Sequence, residues 1–279
     1  MVRVQVNDVR LWYDVLAPQV VLGQDQLVER LTVIGVHGGP GIDSTSLLGA
    51  LAPLGDVAQL IRFDQRGHGR SDHGQPPQWT LETWADDLAG LVDVLGVEDP
   101  VLFGTSYGAH VALACAARYP LLVRGVVAAY GGGRLDEQAT VEAFRRLGGD
   151  HAARVAAGDP EDPERGFQEW LRVCWPLCSR SAAGVARLAR LQRLSIHSPD
   201  VHAAAAGSEV QLMPGLDRVT CPVLVLGGRE DPLSTPSSMT ELAAALTGSK
   251  RCDLVLIPGA GHTLFADHPS RRTALSETG

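Results

Sequence analysis

The sequence has no block of basic residues, no long apolar run and no cysteine framework, and each absence removes a class of function. Its formal net charge is −8, and without concentrated Lys and Arg it lacks the means to grip nucleic acid or an anionic membrane surface. No apolar stretch approaches the roughly 18 residues of a membrane span. The opening residues, MVRVQVNDVRLWYDV, alternate polar and apolar positions where a secretory leader would place a charged start and an apolar core. The five cysteines, Cys115, Cys174, Cys178, Cys221 and Cys252, are odd in number and scattered, which fits reduced thiols in a cytoplasmic setting. Only Cys174 and Cys178 lie close, in CWPLC. With Pro176 between them and no further ligands in view this is a poor zinc pattern, and no metal or other cofactor is expected. Repeats and low-complexity tracts are missing too. No GK[ST] or G-x-G-x-x-G follows a strand, so the glycines do not read as a phosphate cradle.

What is present is alternation on two scales. Val2, Val4 and Val6, then Val9, Leu11, Tyr13 and Val15, alternate around Asn7 and Asp8, as the strands of an antiparallel hairpin would. Further on come continuous apolar runs at 31–36, 59–63, 100–103, 125–130, 222–228 and 253–259, the pattern of parallel strands buried on both faces. Between them, 81–96 places Leu81, Trp84, Leu88, Leu91, Val92 and Leu95 on one helical face, and 237–248 does likewise before Gly248. Strands alternating with helices predict a doubly wound, mostly parallel α/β sheet with right-handed crossovers. Residues 134–214 break the rhythm with helix-like pieces and no good strand, too long for a plain crossover. The expected organisation is therefore a core of 1–133 and 215–279 with a helical lid inserted at 134–214.

Four segments at the ends of strands carry chemistry. GTSYG (104–108) sits where the run VLF becomes a helix. A serine on such a sharp turn is held in strained backbone geometry, with small neighbours that let strand and helix pack closely beneath it. Ser106 would then stand above the carboxyl edge of the sheet, as a candidate nucleophile. A serine hydroxyl needs an imidazole to take its proton and a carboxylate to orient that imidazole. His262, in PGAGHTLF, and Asp231, in GGREDPLSTP, follow the last two strands at the same edge. Glu230 is the rival acid; Asp231 is preferred because Pro232 starts the turn. HGGPG (37–41) follows the strand 31–36 and exposes backbone N–H groups, so Gly39 N–H and Tyr107 N–H are the expected oxyanion donors, each worth about 3 kcal/mol when well aimed. In DQRGHGRSD (64–72) the grouped Asp64, Arg66, His68 and Asp72 are expected to brace a loop.

Together HGGPG, DQRGHGRSD, GTSYG, GREDP and GHTLFADHP resemble the α/β-hydrolase superfamily, and the first two resemble its proline iminopeptidase branch. The resemblance spans nearly the whole chain outside 134–214 and implies the same roles for Ser106, Asp231, His262, Gly39 and Tyr107. It further implies a small-molecule or short-peptide substrate. Members of that branch hold a substrate ammonium with acidic residues, one in the lid and one close behind the catalytic Asp. Here Pro232 follows Asp231, which leaves Asp200, in HSPD, and Glu230 as candidate substrate-binding acids. Three functions are carried forward: release of N-terminal residues from small peptides or amides, hydrolysis of small apolar esters or lactones, and binding of a small ligand without catalysis.

Overall fold

The computed structural model describes residues 2–23, 26–133, 137–159, 161–206 and 215–267. The hairpin comes first, as β1 (Arg3–Val6) and β2 (Val9–Ala17), followed by the short ribbon β3 (Val20–Leu22) and β4 (Leu27–Glu29). The buried runs become β5 (Thr32–Val36), β6 (Gln59–Phe63), β7 (Val101–Thr105), β8 (Gly125–Ala129), β9 (Val223–Gly228) and β10 (Cys252–Ile257). Eight of these strands form one sheet in the order β1-β2-β6-β5-β7-β8-β9-β10. Pairing is antiparallel from β1 through β2 to β6 and parallel from there to β10. The expected mostly parallel sheet is present, with the hairpin at one edge.

Helices cover both faces. The chain adds α1 (Leu48–Leu51), α2 (Leu81–Val94) and α3 (Tyr107–Arg118), then α4 (Glu137–Ala156), α5 (Pro163–Val173), α6 (Ala182–Leu194) and α7 (Pro199–Ala206) between β8 and β9, and ends with α8 (Pro236–Ala245) and α9 (Leu264–Asp267). Helix α2 starts where the Thr80 side chain accepts from Thr83 N–H and buries Trp84, Leu88, Leu91 and Val92. It stops at Val94, just short of the expected 96, where Gly96 adopts φ 62°. Helix α8 starts on Thr235, whose side chain accepts from Ser238 N–H, and closes at Ala245 rather than 248. The two faces of β5 show why its run reads as continuous: Val33 packs with Leu47, Leu51 and Leu60 on one side, Ile34 with Phe63, Trp84 and Leu88 on the other. The helices of 137–206 have a small core of their own around Phe144, Val155, Cys174, Cys178 and Leu188. The CWPLC thiols belong to it, and burial pushes Cys174 up to about 11. The limits 134 and 214 of the expected insertion lie outside the described residues.

The junction of β7 and α3 is tightly packed, backbone against backbone. A Cβ on Gly104 would fall 2.4 Å from the Gly108 carbonyl oxygen and 2.6 Å from Ala109 Cα. On Gly108 it would fall 2.3 Å from the Val36 oxygen and 2.4 Å from the His37 oxygen. These neighbours are backbone atoms, which cannot swing aside. Gly104→Ala is expected to cost about 2 kcal/mol or more, a fall of roughly 4 °C or more in Tm. Thermal melts check this; a Tm unchanged within a degree would show the junction to be looser than its geometry.

Candidate active site

Ser106 occupies the turn between β7 and α3 with φ 51° and ψ −124°, a left-handed conformation that costs a non-glycine residue energy. Its N–H donates to Ala129 O at 2.9 Å and its carbonyl accepts from Ala109 N–H, so the turn is pinned from both sides. His262, in the loop after β10, places Nε2 3.1 Å from Ser106 Oγ and Nδ1 2.9 Å from Asp231 Oδ2. Asp231, in the loop after β9, accepts through Oδ1 from the backbone N–H groups of Leu233 and Ser234 at 2.8 and 2.9 Å. Both His262 and Asp231 are buried. The Tyr130 ring closes over the imidazole, with centroids 5.0 Å apart. With the carboxylate accepting, Nδ1 carries the proton and Nε2 is left as acceptor toward the serine hydroxyl. The arrangement can remove the Ser106 proton as the oxygen attacks a carbonyl.

The loop after β5 sits against this group. A Cβ on Gly38 would lie 3.0 Å from Ser106 Cβ, and Gly39, at φ 119°, lines the cavity above the serine. Tyr107 is the first residue of α3, where a backbone N–H has no acceptor within the helix. Its ring packs edge-on against Trp84 at 5.6 Å, and burial pushes its phenol up to about 12. The loop is held by two histidines. His37 Nδ1–H donates to Gly38 O and Nε2 accepts from Gln65 N–H, while His68 Nδ1–H donates to Arg66 O and Nε2 accepts from Gly41 N–H at 2.9 Å. DQRGHGRSD thus braces the loop after its own strand, as expected, and ties the glycine loop to it as well. Asp64 accepts from Ser44 and Arg70, and Arg66 joins Asp87 to Asp8.

Over the site lies a cavity of about 220 Å³, walled by Phe167, Trp170 and Leu171 of α5 and by Arg187, Leu188 and Leu191 of α6. The chain between α6 and α7 is stitched to the glycine loop, with Asp43 N–H donating to Ile196 O and Ser198 N–H to Gly41 O, and α7 adds His202 Nδ1–H to Pro40 O. Asp267 makes a second tie, accepting from Arg180 N–H and Ser181 N–H at 3.0 Å and from Gly261 N–H at 3.0 Å. The structure therefore brings Ser106, Asp231, His262 and Gly39 together, with Tyr107 at the start of the adjoining helix. It does not bring Asp200 or Glu230 to the cavity. Asp200 points to solvent and pairs with His73 Nε2 at 2.7 Å, because α7 presents its first turn to the 72–74 loop. Glu230 is exposed beside the buried Asp231. Tyr130, Arg187 and Asp267 were not singled out from the sequence. Asp267 lies within GHTLFADHP, which is the only signal it offers.

The alpha/beta hydrolase fold family matches residues 32–269, and the chain belongs to it: it is an enzyme of ester or amide hydrolysis. Among its relatives, the 2-(acetamidomethylene)succinate hydrolase of Mesorhizobium japonicum is 32% identical over 75% of this chain and 73% of its own. The proline iminopeptidase PfmaB of Pestalotiopsis fici is 25% identical over 95% and 93%. Among solved structures, a thermophilic esterase from Thermogutta terrifontis, malate bound, is 27% identical with a TM-score of 0.70, covering 99% of this chain and 97% of that one.

The bracing histidines make stability pH-dependent. Burial, with the charge of His37 adding to it, lowers His68 from 6.5 to about 3, and burial lowers His37 in the same direction. Such groups take up protons in the unfolded chain before the folded one, so their contribution is complete above the ordinary histidine pKa and is lost as pH falls below it. The loss is about 1.4 kcal/mol per pH unit for each group. Urea midpoints should fall between pH 7 and pH 5, before the carboxylates titrate. His68→Gln should be less stable at pH 7 yet shallower in slope by about one proton; an unchanged slope would remove His68 from the effect.

Proposed function

We propose that this chain is a serine hydrolase in which Ser106 is the nucleophile, His262 the general base and then acid, and Asp231 the orienting carboxylate. The observation that carries the proposal is the continuous hydrogen-bonded path from Asp231 through His262 to Ser106 beneath the cavity. Ser106 Oγ attacks the substrate carbonyl as His262 Nε2 takes its proton, and Asp231 stabilises the imidazolium. The developing oxyanion is met by the N–H groups of Gly39 and Tyr107, in a site the inserted helices shield from water. His262 returns the proton to the leaving group, giving an acyl-enzyme. Water, deprotonated by the same imidazole, then releases the acid and restores Ser106.

In this proposal α4–α7 form the lid and their aromatic and leucine side chains receive the substrate. The proline-iminopeptidase-like reading, release of N-terminal residues from small peptides or amides, draws on the likeness to PfmaB. Ester or amide cleavage without an ammonium site draws on the cavity, whose described lining holds no Asp or Glu. A buried ammonium without a partner costs several kcal/mol, so the second reading is the better supported. The name of the Mesorhizobium relative, a succinate-derivative hydrolase, agrees with it. An intact nucleophile, base and acid argue against a purely binding role.

Ser106→Ala is expected to abolish covalent labelling by a fluorophosphonate while leaving the thermal melt nearly unchanged; persistent labelling would overturn the assignment. Asp231→Asn or His262→Ala should lower kcat about a thousandfold or more. Short-chain aryl esters should be cleaved in preference to proline arylamide, and amine-dependent arylamide turnover would restore the aminopeptidase reading.

A further inference from the structure

The cavity above Ser106 is lined by one guanidinium and, among the described residues, by no carboxylate. On α6, Arg190 and Arg193 are exposed to solvent, whereas Arg187 is half-buried and lines the cavity beside Leu188 and Leu191. Two arginines of the neighbouring helices are paired on the surface, Arg145 with Glu142 and Arg172 with Glu169. Arg187 has no ion pair or hydrogen bond among the described residues.

The guanidinium is nevertheless placed. A Cβ on Gly49 of α1 would fall 1.2 Å from Arg187 Nη2 and 2.0 Å from Cζ, so the side chain lies in a niche that exists only because residue 49 is glycine. Its charge acts on the Tyr130 phenol, opposing the upward push of burial, and the Tyr130 ring packs on His262. Arg187 therefore looks into the same interior as the Ser106 hydroxyl. A guanidinium presents a rigid fork of donors and no acceptor, and the group that satisfies it is a planar oxyanion. The molecule as a whole is negative, at −8, so any attraction for an anion has to come from a local charge such as this one.

We propose that Arg187 binds a carboxylate carried by the substrate, so that the preferred substrates are acid-bearing esters or amides, such as monoesters of short dicarboxylic acids. The scissile carbonyl lies at Ser106 and the free carboxylate at Arg187, with the apolar wall holding the carbon chain between them. The inference rests on the ester or amide hydrolase reading above, and it specifies the substrate class of that site. It also explains why neither Asp200 nor Glu230 is needed in the cavity: the complementary charge is of opposite sign.

The test separates binding from chemistry. On the Ser106→Ala protein, calorimetry compares monoethyl glutarate with ethyl pentanoate, which carries a methyl where the acid has its carboxylate. The acid is expected to bind roughly tenfold to a hundredfold more tightly. Arg187→Met in that background should erase the preference, Arg187→Lys should keep part of it, and Gly49→Ala, which evicts the guanidinium but keeps its charge, should weaken it. With Ser106 present, the ratio of kcat/KM between the two esters should fall in parallel in the Arg187 variants, chiefly through KM. Equal affinities, no measurable binding of the monoester, or a preference that survives Arg187→Met would overturn the proposal. Fluorophosphonate labelling reports on Ser106 alone. An Arg187-dependent preference in a protein that resists labelling would keep the carboxylate site and overturn the serine mechanism, and the reverse pattern would do the opposite.

Discussion

The contact on which the rest of the site depends is the close approach of α3 to the ends of β5 and β7. Gly108 lies so near the carbonyls of Val36 and His37 that no side chain fits, and this one contact fixes two things together. It sets the start of α3, where Ser106 is held at φ 51°, and it sets the exit of the chain from β5 into the glycine loop. Ser106 and the glycine loop are therefore positioned by a single packing constraint instead of by two independent loops. The strain at Ser106 persists because its flanking hydrogen bonds to Ala129 and Ala109 leave the turn no alternative.

Around that contact the loops are rigidified by buried polar groups. Asp64 is fully buried; burial would raise its carboxyl, but the hydrogen bond from Arg70 and the groups around it outweigh that and leave it lowered. His37 and His68, neutral and each donating through Nδ1 and accepting through Nε2, connect the 64–72 loop to the glycine loop without introducing a charge. Apolar side chains could fill that space, but they could not satisfy the backbone N–H and C=O groups that such loops bring inside.

Much of this was legible in the sequence where the physics is local. Continuous runs such as LTVIGV read as central strands because both faces are buried, and residues just past parallel strands fall at one edge, so Ser106, Asp231 and His262 could be placed near one another from strand order alone. Where position depends on packing between distant segments the sequence was silent. Arg187 looks like its neighbours Arg190 and Arg193 until α6 is seated on α1. Asp200 sits in the inserted segment where an acid was sought, yet the rotation of α7 turns it to His73. The β3–β4 ribbon went unread because most of its side chains are exposed and carry no burial pattern.

The two oxygens of Asp267 join two parts of the chain far apart in sequence. One accepts from the chain that leads into α6, the other from the loop that carries His262. A single side chain is thus the joint between the helices over the cavity and the His262 loop beneath it. The chain leading into α6 and the loop carrying His262 share one carboxylate, so the loss of that side chain would loosen the cavity from above and from below together.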